Sequence, residues 1–344
     1  MGSRRLYRRS PIIPRARIAL WILPLLVAPA VHAEDANPFL GRWALTIPGG
    51  GAGWLGIEDR GDYLAGSILW GGGSVVPVAD VYLDGDTLNV TRINNIEHKD
   101  KDGKVVWTQR ITETISATLN GADALNLVQT KPQSSGRGMI VREFTGNRIP
   151  DLPNPPNLKK VKYADPIQLF NGKDLGGWEA TNPSAKMGWT AKDGILTNDA
   201  PRSGANFANL RTTQEFEDFN LKLEVRVPKG GNSGVYLRGI YEVQVEDSHG
   251  KPADSHHMGA VYSRITPSAT VEKPAGEWQT MDITLVDRHV TVILNGTTII
   301  DNQPLLGCTG GALWSDEFKP GPIYLQGDHG AIEYRNLVLT PVRK

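Results

Sequence analysis

The sequence predicts an all-β protein built from two antiparallel β modules. Three observations predict it. Apolar and polar residues alternate with a period of two through most of the chain after residue 37. Turn pairs such as Asp84-Gly85, Asp102-Gly103, Asn120-Gly121 and Asn295-Gly296 interrupt the alternation at short intervals. No stretch after the first 33 residues shows the long amphipathic helical pattern needed to cover a parallel sheet.

Residues 1–33 read as a secretory signal peptide. Arg4, Arg5, Arg8, Arg9, Arg15 and Arg17 form a basic region, Ile18 to Val31 is an apolar run broken by Pro24 and Pro29, and Val31-His32-Ala33 supplies a cleavage site. The expectation is a periplasmic or secreted bacterial protein, exported by the Sec or the twin-arginine route, with no integral membrane span after cleavage. The single cysteine, Cys308, forbids an internal disulfide, so the core alone must carry stability. Lys and Arg total 37, as do Asp and Glu, which gives no electrostatic footprint for nucleic acid.

From residue 37 to 148 the alternation reads as a meander of hairpins, with strands at Trp43–Ile47, Tyr63–Trp70, Thr87–Ile93, Val105–Thr118 and Ala124–Thr130. That predicts a small barrel or sandwich. Gly41-Arg42-Trp43 is similar to the Gly-x-Trp opening of lipocalin-type barrels, a short and weakly specific signal. The stretch from 149 to 164 holds four prolines in eight residues and reads as an extended linker. Residues 165–343 then give a second set of about a dozen strands, which implies a jelly-roll sandwich. Within it Phe219–Val227 is a half-buried strand, and Trp278–Val286 with His289–Asn295 makes a hairpin about Asp287-Arg288. Ile323–Gln326 and Ile332–Leu339 read as another hairpin with Gly327-Asp328-His329-Gly330 at its tip.

The most informative stretch is Asn232 to Asp247. Tyr241, Val243 and Val245 share one face of a strand, and Glu242, Gln244 and Glu246 share the other. The plain reading of that polar row is a solvated sheet face. Arg238 either pairs with Glu224 across strands or serves a site. His249, His256 and His257 fall in a Gly/Pro/Asp-rich loop and read as solvated. Tyr241, Trp178, Trp189 and Trp278 read as core or edge packing, and Cys308 as a small buried hydrophobe.

Several segments resemble a known family when taken in order. They are Phe170-Asn171-Gly172-Lys173-Asp174-Leu175 with Trp178, Asn232-Ser233-Gly234 with Tyr236-Leu237-Arg238-Gly239, Tyr241-Glu242-Val243-Gln244, and Gly259-Ala260-Val261-Tyr262. Gly276-Glu277-Trp278 and Leu325-Gln326-Gly327-Asp328-His329-Gly330, followed by Tyr334-Arg335-Asn336, complete the set. Over about residues 165–343 this resembles the 3-keto-disaccharide hydrolase domain family, a concanavalin-A-like (lectin/glucanase) jelly roll. The resemblance implies action on an oxidised, 3-keto glycoside by elimination and then hydration, with a divalent metal ion in some members. A C3 ketone acidifies the C2 proton, so the reaction needs a base, a stabiliser of the enolate oxygen and an acid at the leaving group. Carried over by motif position, Glu242, His329 and Arg238 become the catalytic residues, with Glu242 and His329 also the metal candidates. Gln244, Gln326, Tyr262, Glu224 and Asp247 become the substrate-binding residues. The competing expectations are a non-catalytic, lectin-like carbohydrate-binding protein and a partner-binding scaffold.

Overall fold

The computed structural model describes Gly2 and residues 37–133, 136–202 and 206–343; apart from Gly2, the expected signal peptide lies outside them. Period-two alternation yields strands throughout, and the only helical turn among the described residues is a 3-10 turn at Leu158–Lys160. The first nine strands are β1 (Gly41–Leu45), β2 (Gly53–Asp59), β3 (Leu64–Trp70), β4 (Gly72–Pro77), β5 (Asp80–Asp84), β6 (Thr87–Lys99), β7 (Val105–Leu119), β8 (Ala124–Pro132) and β9 (Met139–Ile149). They form one antiparallel sheet in the order β4-β3-β2-β1-β9-β8-β7-β6-β5. Val78 N–H donates to Gly66 O at 3.0 Å on β3, and Ala79 N–H donates to Thr91 O at 2.8 Å on β6. The chain between β4 and β5 therefore joins both ends of the sheet and closes a barrel, which removes the exposed edges.

Alternation also decides where the barrel residues point. Trp43, Leu45, Leu55, Ile57, Ile68, Leu88, Val90 and Ile115 fill the barrel interior. Ala44, Trp54 and Leu69 point the other way and join the core of the second module. The Trp43 indole N–H donates to Phe39 O at 2.9 Å, and the Arg148 guanidinium lies 4.1 Å over the ring, closing the barrel end.

The second module continues with β10 (Ile167–Gln168), β11 (Trp178–Ala180), β12 (Trp189–Lys192), β13 (Ile195–Asn198), β14 (Leu210–Thr212), β15 (Phe219–Arg226), β16 (Asn232–Leu237) and β17 (Tyr241–Glu246). It ends with β18 (Trp278–Val286), β19 (His289–Leu294), β20 (Thr297–Pro304), β21 (Tyr324–Leu325) and β22 (Ile332–Pro341). An eight-stranded sheet runs β12-β13-β22-β15-β18-β19-β20 with β10 on β22, and a five-stranded sheet runs β11-β14-β21-β16-β17. Phe219, Leu221, Leu223 and Val225 from one sheet meet Val235, Leu237, Tyr241, Val243 and Val245 from the other. The result is an antiparallel jelly-roll sandwich, as the alternation implied.

One expectation needs correction. Gly327-Asp328-His329-Gly330 is not a hairpin tip, because β21 lies in the five-stranded sheet and β22 in the eight-stranded one; the segment crosses between sheets. Turn residues announce a change of direction but carry no information about which sheet each flank joins. The proline-rich linker is extended, yet it is tied down along its length. Arg42 and Arg288 both donate to Pro150 O, and Asn302 Nδ2 donates to Pro156 O. The chain from Asn37 to Lys344, barrel included, forms one compact unit. The Asp287-Arg288 hairpin between β18 and β19 is as expected, with φ of 48° and 57° at the two turn residues, the pair of positive values that a two-residue turn needs to match strand twist.

Candidate active site

β17 is buried on both faces, so its polar row is not a solvated surface. Tyr241, Val243 and Val245 enter the sandwich core, while Glu242 and Gln244 are only 3% and 2% exposed on the opposite face. Strand register fixes their neighbours on that face. Glu242 pairs with Tyr236 on β16, Tyr236 with Tyr324 on β21, Tyr324 with Arg211 on β14, and Arg211 with Glu179 on β11. Adjacent partners at the same pleat height project to the same side, so a row of five ionisable side chains crosses the sheet. The Tyr236 and Tyr324 rings stack at 4.1 Å, and Arg211 bonds Glu179 through Nε at 2.8 Å and Nη2 at 2.6 Å.

Gly234 makes room for the carboxyl in this row. A Cβ at that position would overlap Glu242 Oε1. The Tyr236 hydroxyl lies 2.8 Å from Glu242 Oε2 and 2.7 Å from Gly310 O. One phenolic proton cannot serve two acceptors. Both contacts are satisfied when Glu242 is protonated and donates to Tyr236 while Tyr236 donates to Gly310 O. Electrostatics agree: burial pushes the Glu242 pKa from 4.5 up to about 8, the Tyr236 bond works against that, and the charge of Asp328 adds to it. Burial, with the Glu242 charge, also raises Tyr236 well above the ordinary phenol range.

His329 lies on the crossover segment next to Asp328, whose charge reaches Glu242. Its Nδ1 lies 2.6 Å from Asp328 Oδ1, and the bond to Asp328 holds the imidazole pKa above its usual 6.5. Burial works to raise the Asp328 carboxyl, but the His329 and Asn209 contacts outweigh it and leave the carboxyl below its ordinary value. Asn209 also accepts from Gly327 N at 2.7 Å and Asp328 N at 3.2 Å through Oδ1, which fixes the crossover over the sheet. Gln326 completes the face; its Oε1 is buried with no donor among the described residues.

The remaining expected residues divide sharply. Gln244 lies on the Glu242 face, but its Nε2 is committed to His256 O at 3.1 Å. Tyr262 is half-buried beside it, edge-on to the His256 ring at 4.9 Å. Glu224 is on the eight-stranded sheet, held by Arg335 at 2.6 Å and Asn336 at 2.7 Å, and does not join the Glu242 face. Asp247 accepts from Gly230 N at 2.8 Å and ties the loop before β16. Arg238 meets neither Glu224 nor the Glu242 carboxyl. It sits at φ 55° just past β16 and donates to Glu317 O at 2.7 Å and Lys319 O at 2.5 Å, beside Tyr241 on the core side of β17. The turn after Leu237 breaks the strand phase, so counting by twos misplaces this side chain.

That location carries a prediction. Arg238→Ala should lower stability by about 2–4 kcal/mol, because it leaves the buried Glu317 carbonyl and the partly buried Lys319 carbonyl without this donor and empties a buried guanidinium site. A urea midpoint close to that of the wild type would mean the guanidinium contacts are dispensable.

His256 keeps a substantially exposed side chain, as expected of a loop residue, and also reaches the barrel. Its Nε2 lies 2.8 Å from the Ser74 hydroxyl on β4 of the barrel, and its Nδ1 lies 2.7 Å from Asp254 Oδ1. Gly73, the residue before Ser74, packs against Gly310, whose carbonyl holds Tyr236. The barrel thus borders the face. Tyr236, Tyr324 and Asn209 were missed from sequence; Tyr236 has the parity of Asn232 and Gly234 and was legible, whereas the other two come together only through strand order.

Among the described residues no group of three or more His, Cys, Asp or Glu side chains is placed to hold a metal ion. The Asp328 contact would orient the His329 ring as a ligand imidazole is oriented, but Glu242 is engaged by Tyr236 and no third carboxylate, imidazole or thiolate among the described residues is placed with this pair.

The fold and this face define a class: a concanavalin-A-like jelly roll carrying a desolvated carboxyl beside a His–Asp pair. The chain belongs to the 3-keto-alpha-glucoside-1,2-lyase-like domain family, whose description matches residues 165–340. A 3-keto-disaccharide hydrolase of Bacteroides thetaiotaomicron is 28% identical over 143 residues, which is 33% of this chain and 49% of that protein. The chain therefore spans about half the length of this curated relative. Among solved structures, a glycosyl hydrolase candidate from Parabacteroides distasonis is 32% identical, covering 51% of this chain and 83% of that one at a TM-score of 0.43. A second from the same organism is 27% identical, covering 51% and 98% at a TM-score of 0.39.

Proposed function

We propose that the protein is a secreted enzyme that cleaves 3-keto-glycosides by elimination across C1–C2 followed by hydration. The observation that carries this reading is the Glu242 carboxyl, buried against Tyr236 with its pKa pushed to about 8 and close to the Asp328–His329 pair. A base with a pKa near the working pH combines useful ionised population with strong proton affinity. In this scheme ionised Glu242 takes the C2 proton, the C2–H electron pair forms the enolate conjugated to the C3 ketone, and the C1–O bond breaks. The departing oxygen takes a proton from the His329 imidazolium, which Asp328 keeps charged. Water then adds at C1 of the unsaturated ketone, releasing a 3-keto sugar. Gln326 Oε1 is suited to hold a sugar hydroxyl.

Glu242 is 3% exposed, and the Gly310–Gly311 segment lies against the Tyr236 hydroxyl that binds it. Substrate entry in this scheme requires that segment to move aside. Flanking glycines suit such a movement, since Gly311 already sits at φ 80°.

The direct test is incubation with a 3-keto-disaccharide and with its unoxidised parent. The expected result is release of sugar from the first and not the second. Release from neither would favour a lectin-like role. His329→Ala should lower turnover by about one to two orders of magnitude for a good leaving group and by more for a poor one, since only the latter needs its proton. Equal losses for both leaving groups would remove His329 from the acid role.

A further inference from the structure

A crevice of about 960 Å³ runs between the barrel, the linker and the loops of the sandwich, lined by Arg42, Trp54, Arg264, His289 and apolar side chains including Ile265 and Leu306. It shares no lining residue with the Glu242 row. Its polar groups are unusual in what they lack. Arg42 Nη1, Trp54 Nε1 and Arg264 Nη2 are all buried and find no acceptor among the described residues.

Each of these groups is otherwise held in place. Arg264 donates through Nε to Cys308 O at 2.8 Å and stacks 4.5 Å from the Trp54 ring. Arg42 donates through Nη2 to Pro150 O at 3.1 Å. Gly307 brings two of the free donors together: a Cβ there would run into both Trp54 Nε1 and Arg264 Nη2. An unpaired buried donor is costly, and donors gathered on rigid supports, with walls from two modules, are the arrangement of a binding site.

The charge balance points the same way. Arg42, Arg264 and Arg288 all act on one buried carboxylate, Glu317, whose Oε2 is already taken by the Tyr241 hydroxyl at 2.7 Å. Arg288 reaches Glu317 only at 3.7 Å. Glu58 and Asp151 also border the crevice, but their side chains are solvated. Arg42 also pairs with the exposed Asp151 at 3.5 Å, but Arg264 has no carboxylate within ion-pair distance among the described residues, and a bound anion is the usual remedy for a buried guanidinium so placed.

We propose that this crevice binds an organic carboxylate with an apolar body, its carboxylate received by Arg264, Arg42 and the Trp54 N–H and its body by Val75, Ile265 and Leu306. Planar guanidinium groups match the two oxygens of a carboxylate. Apolar walls beside them distinguish such a ligand from a bare inorganic anion. The site lies at the junction of both modules, which gives the barrel a ligand-binding role independent of chemistry at Glu242.

The test is calorimetric titration of the full chain with octanoate, and in parallel with inorganic phosphate, at low ionic strength. The expected result is saturable binding of octanoate, at least tenfold tighter than phosphate, that weakens at least tenfold in Arg264→Met. Arg42→Met, at the crevice edge, gives the same readout if Arg264→Met fails to fold. Absence of saturable octanoate binding overturns the proposal, as does binding unchanged in a folded variant. Phosphate binding as tight as octanoate overturns the assignment of an organic ligand.

Discussion

Glu242→Gln is expected to lower turnover of a 3-keto-glycoside by about two to four orders of magnitude, the usual contribution of one general acid–base group. The amide keeps the size of the side chain and removes its basicity. The wild-type pH profile discriminates the role. If Glu242 acts as the base, kcat/KM rises with pH and levels off near the carboxyl's pKa of about 8. If it acts as the acid, the profile falls through that same pH. A flat profile across pH 6–9 with an active Glu242→Gln variant would take the residue out of the chemistry.

The second large effect is on stability. The carboxyl titrates at an ordinary 4.5 when exposed and at about 8 in the folded protein. Between those values the folded state holds a proton that the unfolded state has released. Stability from this group is therefore complete below about pH 4.5, declines as pH rises, and is lost once pH passes about 8. The shift corresponds to about 3–5 kcal/mol at about 1.4 kcal/mol per unit. Glu317 is also raised by burial and pushes in the same direction, so the informative quantity is the difference between two proteins. Glu242→Gln should match the wild type near pH 5 and exceed it by several kcal/mol near pH 9. Urea unfolding at the two pH values measures this, and parallel curves would show that Glu242 is ionised at little cost in the folded protein.

The two expectations meet in one physical fact. A carboxyl removed from water is a stronger base and a destabilising one once ionised. Gly234 and the Tyr236–Gly310 contact keep it in that state, and both would be dispensable in a face built only for packing. The Ser74–His256–Asp254 contacts bring the barrel to the same neighbourhood, so the first module is structurally continuous with the face.

Local sequence determined the strands, most of the turns and the side of each strand that faces the core. Period-two alternation is a property of the backbone, readable from a few residues at a time, and it placed Tyr241, Val243 and Val245 inward and Glu242 and Gln244 opposite them. It also sufficed for the Asp287-Arg288 turn. Tertiary structure alone decided whether the opposite face was wet. Burial of Glu242 comes from Tyr236, Gly310 and the crossover bearing Asp328, with Gly310 68 positions beyond Glu242 in sequence and brought there by strand order. The same holds for Arg238, which leaves the strand phase at a turn, and for Glu224, whose partners Arg335 and Asn336 lie more than a hundred residues away. Composition can show that a carboxylate is available; only the packing of distant segments removes the water that sets its pKa.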